Sequence, residues 1–241
     1  KTIIKIAAAE PHVEDLGKFL IAMGAKIEGL GSHTIIVEGT ASLHGAEYEI
    51  IPDPIEVATF LILGAVTGNE LSVVHAREEH LELVLEKMRD FGVQFKIDRD
   101  RITVLPAKTL VSPGKVKAEL YPGIPTDALS LFAVLATGAE GDTLIHEHLY
   151  EGRFNYIPEF EKMHIKATVL NPHQAVIHGP AHLRGTTIKS FDLRAGAALI
   201  IAALAAEGMT TIEDIYQVDR GYERIEERLQ KIGAKIERIK S

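Results

Sequence analysis

Asp192-Leu-Arg-Ala-Gly-Ala-Ala-Leu-Ile-Ile-Ala-Ala-Leu opens on a carboxylate and runs on with almost no polar side chain. A helix that is apolar all round has to be covered all round, by other helices or by sheets. Two earlier stretches repeat the pattern: Asp53-Pro-Ile-Glu-Val-Ala-Thr-Phe-Leu-Ile-Leu-Gly-Ala and Asp127-Ala-Leu-Ser-Leu-Phe-Ala-Val-Leu-Ala-Thr. Each is expected to end at or near a glycine. A short alternating segment follows each one: Glu70-Leu-Ser-Val-Val, Asp142-Thr-Leu-Ile-His and Thr210-Thr-Ile-Glu-Asp. The three aspartates are roughly 74 and 65 residues apart, the spacing of a repeated structural unit.

A second kind of segment alternates with the first. It is an amphipathic helix, a glycine turn and one or two short strands. The copies begin at Val13-Glu-Asp-Leu-Gly-Lys-Phe-Leu, at Leu81, at Ile157-Pro-Glu-Phe-Glu-Lys-Met-His, and at Arg224-Ile-Glu-Glu-Arg-Leu-Gln-Lys-Ile-Gly. Gly24, Gly92 and Gly233 fall where the helix must stop and reverse, which suits a left-handed cap. His164 occupies that place in the third copy. One unit therefore reads strand–helix–strand–helix–strand–strand, with an apolar inner helix and an amphipathic outer one. Stacked units bring the inner helices together, with the sheets outside them. The chain holds three inner helices and four outer ones, and it opens on the strand-like Lys1-Thr-Ile-Ile-Lys-Ile without methionine. Residues 1–45 are thus expected to be the tail of the last repeat of a preceding domain, and 46–241 a domain of three repeats.

Composition narrows the possible functions. With 241 residues, 46 % hydrophobic and 25 % charged, the chain can bury a sizeable core. No apolar run reaches the ~18 residues of a membrane span. A net charge of −8 disfavours a nucleic-acid surface while leaving room for local arginine pockets. The absence of cysteine removes disulfides, thiolate metal sites and thiol nucleophiles from this chain. Among eleven histidines, His146 and His148 share a strand face and form the best candidate pair, but none has carboxylate support at ligand spacing, so no metal is expected. No dinucleotide or nucleoside-phosphate fingerprint is present.

Capping alone accounts for all three aspartates, because a carboxylate before a helix satisfies free backbone N–H groups. Two contexts ask for more. Pro125-Thr-Asp places Asp127 after a rigid turn, and Asp192-Leu-Arg puts a cation at a helix start, where the dipole disfavours it. Arg153 and Arg220 lie in corresponding strand-to-outer-helix loops of successive repeats. Guanidinium groups beside helix starts suit an anionic ligand, since arginine binds carboxylate or phosphate bidentately.

Pro125-Thr-Asp, Gly152-Arg-Phe, Asp192-Leu-Arg-Ala and Tyr216-Gln-Val-Asp-Arg-Gly-Tyr-Glu-Arg-Ile-Glu-Glu-Arg-Leu together resemble the enolpyruvyl transferase family, over the whole chain. The resemblance implies an inside-out α/β barrel of βαβαββ repeats, with a site in the cleft between two domains. It also implies transfer of the enolpyruvyl group of phosphoenolpyruvate to the 3-hydroxyl of UDP-N-acetylglucosamine, a step of peptidoglycan synthesis in the cytoplasm, without a cofactor. Asp127 would then be the base near the sugar hydroxyl and Arg220 would bind the phosphoenolpyruvate anion. Tyr150, Arg153 and Arg194 would line the same pocket, and Asp192 would organise it and assist proton transfer. The family's Lys-Asn pair and mobile loop would lie upstream of Lys1, in a missing N-terminal domain of the same or another chain. Leu129, His164 and Pro54 stand where the family usually carries Gln, Gly and Arg. The other readings are 3-phosphoshikimate as acceptor, and a non-catalytic binding module that keeps the fold.

Overall fold

The computed structural model describes residues 1–239. The chain divides into two compact units: Lys1–Asp53 with Leu120–Gly123, and Pro54–Glu119 with the chain from Ile124 onward. The first unit contains β1 (Thr2–Lys5), α1 (Pro11–Ala22), β2 (Lys26–Glu28) and β3 (Thr34–Glu38). Its antiparallel sheet has the order β1-β3-β2, with Val37 of the central strand opposite Thr2 on one side and Ile27 on the other. Proline at the start of α1 costs no hydrogen bond there, because the first N–H groups of a helix have no partner within it.

The larger unit begins with α2 (Pro54–Thr67), β4 (Leu71–Val74), α3 (Glu82–Asp90), β5 (Gln94–Asp98) and β6 (Arg101–Leu105), whose strands form an antiparallel β4-β6-β5 sheet. The next repeat runs β7 (Leu110–Val111), β8 (Lys115–Lys117), α4 (Leu129–Thr137), β9 (Ala139–His146), α5 (Ile157–Lys162), β10 (Lys166–Asn171) and β11 (Gln174–Gly179). In its sheet β9 pairs antiparallel with β11 and parallel with both β7 and β8. The last repeat has β12 (Thr187–Lys189), α6 (Leu193–Ala205), β13 (Thr211–Glu213) and α7 (Ile225–Lys231), with β12 and β13 parallel.

The three apolar runs are α2, α4 and α6, and they pack on one another. Every residue of α4 is buried, as are Val57–Ala65 of α2 and Ala195–Ala202 of α6. Burial on all sides is what their missing polar faces demand. Gly64 lies inside α2 rather than at its end, and its bare Cα lets Val104 and Leu71 close against the helix. The turn comes at Gly68, with φ +66°.

At the ends of the outer helices Gly24, Gly92 and Gly233 have φ of +98°, +90° and +100°. His164 takes the same left-handed conformation at φ +66°, so the turn geometry is kept at some cost in backbone strain. The fourth outer helix departs from the expected pattern. Residues 234–239 form no strand, since no strand lies beside them to complete a ladder among the described residues. They are fastened instead by Arg238, which makes a two-pronged bond to Asp219 at 2.9 and 2.7 Å and a third to Glu226 at 2.9 Å.

Candidate functional site

The starts of α4 and α6 meet. Ser130, in the first turn of α4, donates to the backbone carbonyl of Arg194 at 3.1 Å. Asp127 sits inside a 3-10 turn, Thr126–Ala128, set up by Pro125 at φ −65° and ψ 142° and closed by the Ala128 N–H on the Pro125 carbonyl at 2.9 Å. Its carboxylate caps no helix, which corrects the capping explanation for this residue. Arg194 Nε donates to Oδ2 at 3.1 Å, and Arg153 Nη1 lies 3.6 Å from Oδ1. The turn has already closed its own hydrogen bond, so the acid is free to take cations.

Asp192 is the cap. Its Oδ1 accepts the N–H groups of Arg194 at 2.9 Å and Ala195 at 2.8 Å, from an extended backbone. Oδ2 accepts Asn155 Nδ2 at 3.0 Å, tying the loop after β9 to α6. Tyr150 lies with its ring under the Arg153 guanidinium at 5.1 Å, a cation–π contact. Asp127, Tyr150, Arg153 and Arg194 therefore form one contact chain with Asp192 alongside. Arg220 ends the 3-10 turn Ile215–Arg220; it is exposed and makes no ion pair with a described residue. Its neighbour Asp219 is taken by Arg238, which leaves the Arg220 charge uncompensated.

Burial works against the charge of Arg194, but Tyr222 and Asp127 outweigh it and raise its pKa. The residue is charged at any ordinary pH. The recess beside these groups is lined by Leu129, Glu147, Arg153, Tyr156 and Arg194 among others, and its ~10 Å³ has room for about one water.

Glu147, Asn155 and Tyr156 are site residues that the sequence argument missed. Glu147 is fully buried and accepts Thr126 Oγ1, Leu149 N at 2.8 Å and Tyr150 N at 3.2 Å. It binds the turn that carries Asp127 to the loop that carries Tyr150 and Arg153. Tyr156 is buried, its hydroxyl has no hydrogen-bond partner among the described residues, and burial holds its phenol far above the ordinary pKa, with the charges of Asp192 and Glu147 adding to the shift. His146 and His148 have ring centres 5.9 Å apart, and no cluster of three His, Asp or Glu suited to a metal occurs among the described residues.

A family model described as EPSP synthase (3-phosphoshikimate 1-carboxyvinyltransferase) matches residues 1–229. A UDP-N-acetylglucosamine 1-carboxyvinyltransferase of Koribacter versatilis is 42 % identical over 239 residues, covering 99 % of this chain and 55 % of that protein. The enzyme of the same name from Methylacidiphilum infernorum is 44 % identical over 240 residues, covering 100 % and 56 %. The chain thus spans about half the length of the curated relatives it matches. Among solved structures, the enolpyruvyl transferase NikO of Streptomyces tendae superposes with a TM-score of 0.88 at 31 % identity, over 98 % of this chain and 56 % of that one. EPSP synthase of Acinetobacter baumannii superposes at 0.71 with 20 % identity, over 93 % and 55 %, a likeness of fold. With three inner helices at the centre, Asp127 held by two arginines and a matching family model over nearly its whole length, this chain belongs to the enolpyruvyl transferase family.

Proposed function

We propose that the chain is the C-terminal part of an enzyme that moves the enolpyruvyl group of phosphoenolpyruvate to the 3-hydroxyl of UDP-N-acetylglucosamine, releasing phosphate. Residues 46–241 would be its three-repeat domain and 1–45 the tail of the domain before it. The observation that carries this reading is the Asp127 carboxylate, held by Arg153 and Arg194 rather than spent on a helix end. The names of its 42–44 % identical relatives support the acceptor.

Asp127 takes the proton of the attacking hydroxyl as general base. The hydroxyl oxygen bonds to the central carbon of phosphoenolpyruvate as the methylene carbon takes a proton from solvent. A tetrahedral, phosphate-bearing adduct results. Loss of a methyl proton and departure of phosphate then regenerate the double bond and give the enol ether of the acceptor. Fixed guanidinium groups stabilise that adduct without reorganising. Arg153, Arg194 and the uncompensated Arg220 fill this role, Tyr150 flanks Arg153, and Asp192 holds the start of α6. The reaction places the protein in cytoplasmic peptidoglycan synthesis. The remaining substrate contacts would come from an N-terminal domain in the same or another chain.

The test is phosphate release by the complete gene product. It should occur with phosphoenolpyruvate and UDP-N-acetylglucosamine together and with neither alone. Release with shikimate 3-phosphate instead would overturn the acceptor. Ligand binding without release under either condition would favour a binding module.

A further inference from the structure

The first repeat gives the site no charged group, yet it reaches Arg194 through hydroxyls. Thr59 lies in α2 and donates its only hydroxyl hydrogen to the Ile55 carbonyl at 2.8 Å. Its oxygen is 2.7 Å from the hydroxyl of Tyr222, and both side chains are buried. Since the Thr59 hydrogen is already committed, Tyr222 is the donor in this pair. The remaining lone pairs of Tyr222 then face Arg194 Nη1 at 3.5 Å, and a guanidinium can only donate. The Tyr222 ring lies 5.8 Å from the same guanidinium. The links then run from Arg194 to Tyr222, from Tyr222 to Thr59 and from Thr59 to Ile55.

We propose that Thr59 and Tyr222 are positioning residues that hold the Arg194 guanidinium against Asp127. The need is physical. Arg194 sits at the start of its own helix, where the dipole repels a cation, and the surrounding protein strips it of water. Asp127 fixes Nε; Tyr222 fixes Nη1 from a second direction and leaves Nη2 for a ligand. All three repeats thereby contribute to one guanidinium: the first by Thr59 of α2, the second by Asp127 in the turn before α4, and the third by Arg194 of α6 itself. The inference rests on the reading above that Arg194 meets an anion.

Thr59 offers a test in which a hydroxyl role and a packing role predict opposite orders. Valine keeps the shape of threonine and loses the hydroxyl, whereas serine keeps the hydroxyl and loses the methyl. Two quantities are measured on the complete gene product with Thr59→Val, Thr59→Ser and Tyr222→Phe. One is affinity for inorganic phosphate. The other is solvent exchange of the Arg194 Nε–H by NMR, assigned through the Arg194→Lys spectrum. Thr59→Val and Tyr222→Phe should weaken phosphate about tenfold and speed the exchange, with Thr59→Ser close to wild type in both. The reverse order, Val like wild type and Ser impaired, would overturn the proposal, as would exchange that none of the three changes. Exchange that follows the hydroxyl in a protein that binds no phosphate would uphold the positioning and overturn the anion reading. If Tyr222→Phe does not fold, the Thr59 pair decides alone.

Discussion

Asp127 and Asp192 stand at equivalent points of successive repeats, each before an apolar helix, and they do opposite things. Asp192 gives its carboxylate to backbone: two N–H groups of α6, with the Asn155 amide on the other oxygen. Asp127 gives none to backbone, because Pro125 and a 3-10 turn start α4 without it, and its carboxylate goes to two arginines. The same residue in the same repeat position is a structural device in one case and a chemical one in the other. What separates them is the turn in front. A carboxylate is available for chemistry where the backbone at the helix start is satisfied by something else.

The largest effect should come from the acid that caps no helix. Asp127→Asn keeps the shape and removes the base, so turnover should fall at least ~100-fold. Stability should change by less than about 1 kcal/mol, since the ion pairs are partly exposed. Phosphate release and a denaturation curve on the same preparation measure both. Equal losses in the two would erase the distinction between the aspartates. Glu147 comes next, because it holds the Asp127 turn in place. Glu147→Ala leaves the Thr126 hydroxyl and two backbone N–H groups without their acceptor, for a stability loss of about 2–3 kcal/mol. Glu147→Gln can still accept the backbone groups and donate to Thr126, so it should recover most of that loss.

The cap is the third case, and it reverses the first. Asp192→Ala removes a true N-cap and the Asn155 anchor and should cost about 1–2 kcal/mol. Asp127→Ala, with no backbone to release, should cost less in the same urea titration. A larger cost at Asp127 would mean that its turn depends on the carboxylate after all.

The repeats, the buried inner helices and the left-handed turns were legible because each rests on short-range physics. A helix without a polar face must be covered, and a reversal after a helix needs positive φ, at His164 as at Gly24. The two uses of aspartate were not legible from spacing, since both residues precede the same kind of helix. Glu147 could have been found. Thr143 and Ile145 point inward along β9, so a period of two puts the next alternate side chain, a carboxylate, in the core. Arg220 matched the family motif, but residue order alone did not show that Arg238 takes its acidic neighbour, a contact made across 19 positions. The link from Thr59 to Tyr222 spans 163 positions and carries no local signal at all.

The smallest effect belongs to His146, which sets the outer side of β9 against the inward-facing Glu147 one residue on. Burial pushes the His146 imidazole below its ordinary pKa of about 6.5, and Lys115, His148, Lys117 and His173 push the same way. The folded chain therefore binds this proton less readily than the unfolded chain. Stability from this group is complete above about pH 6.5 and declines as pH falls from there through the lower folded value. His146→Gln removes the titration, so its melting temperature should fall less than that of the wild type between pH 7 and pH 5. A steeper fall for His146→Gln would mean that the folded state favours the protonated ring, and that Glu147 or another carboxylate reaches the outer face of the strand.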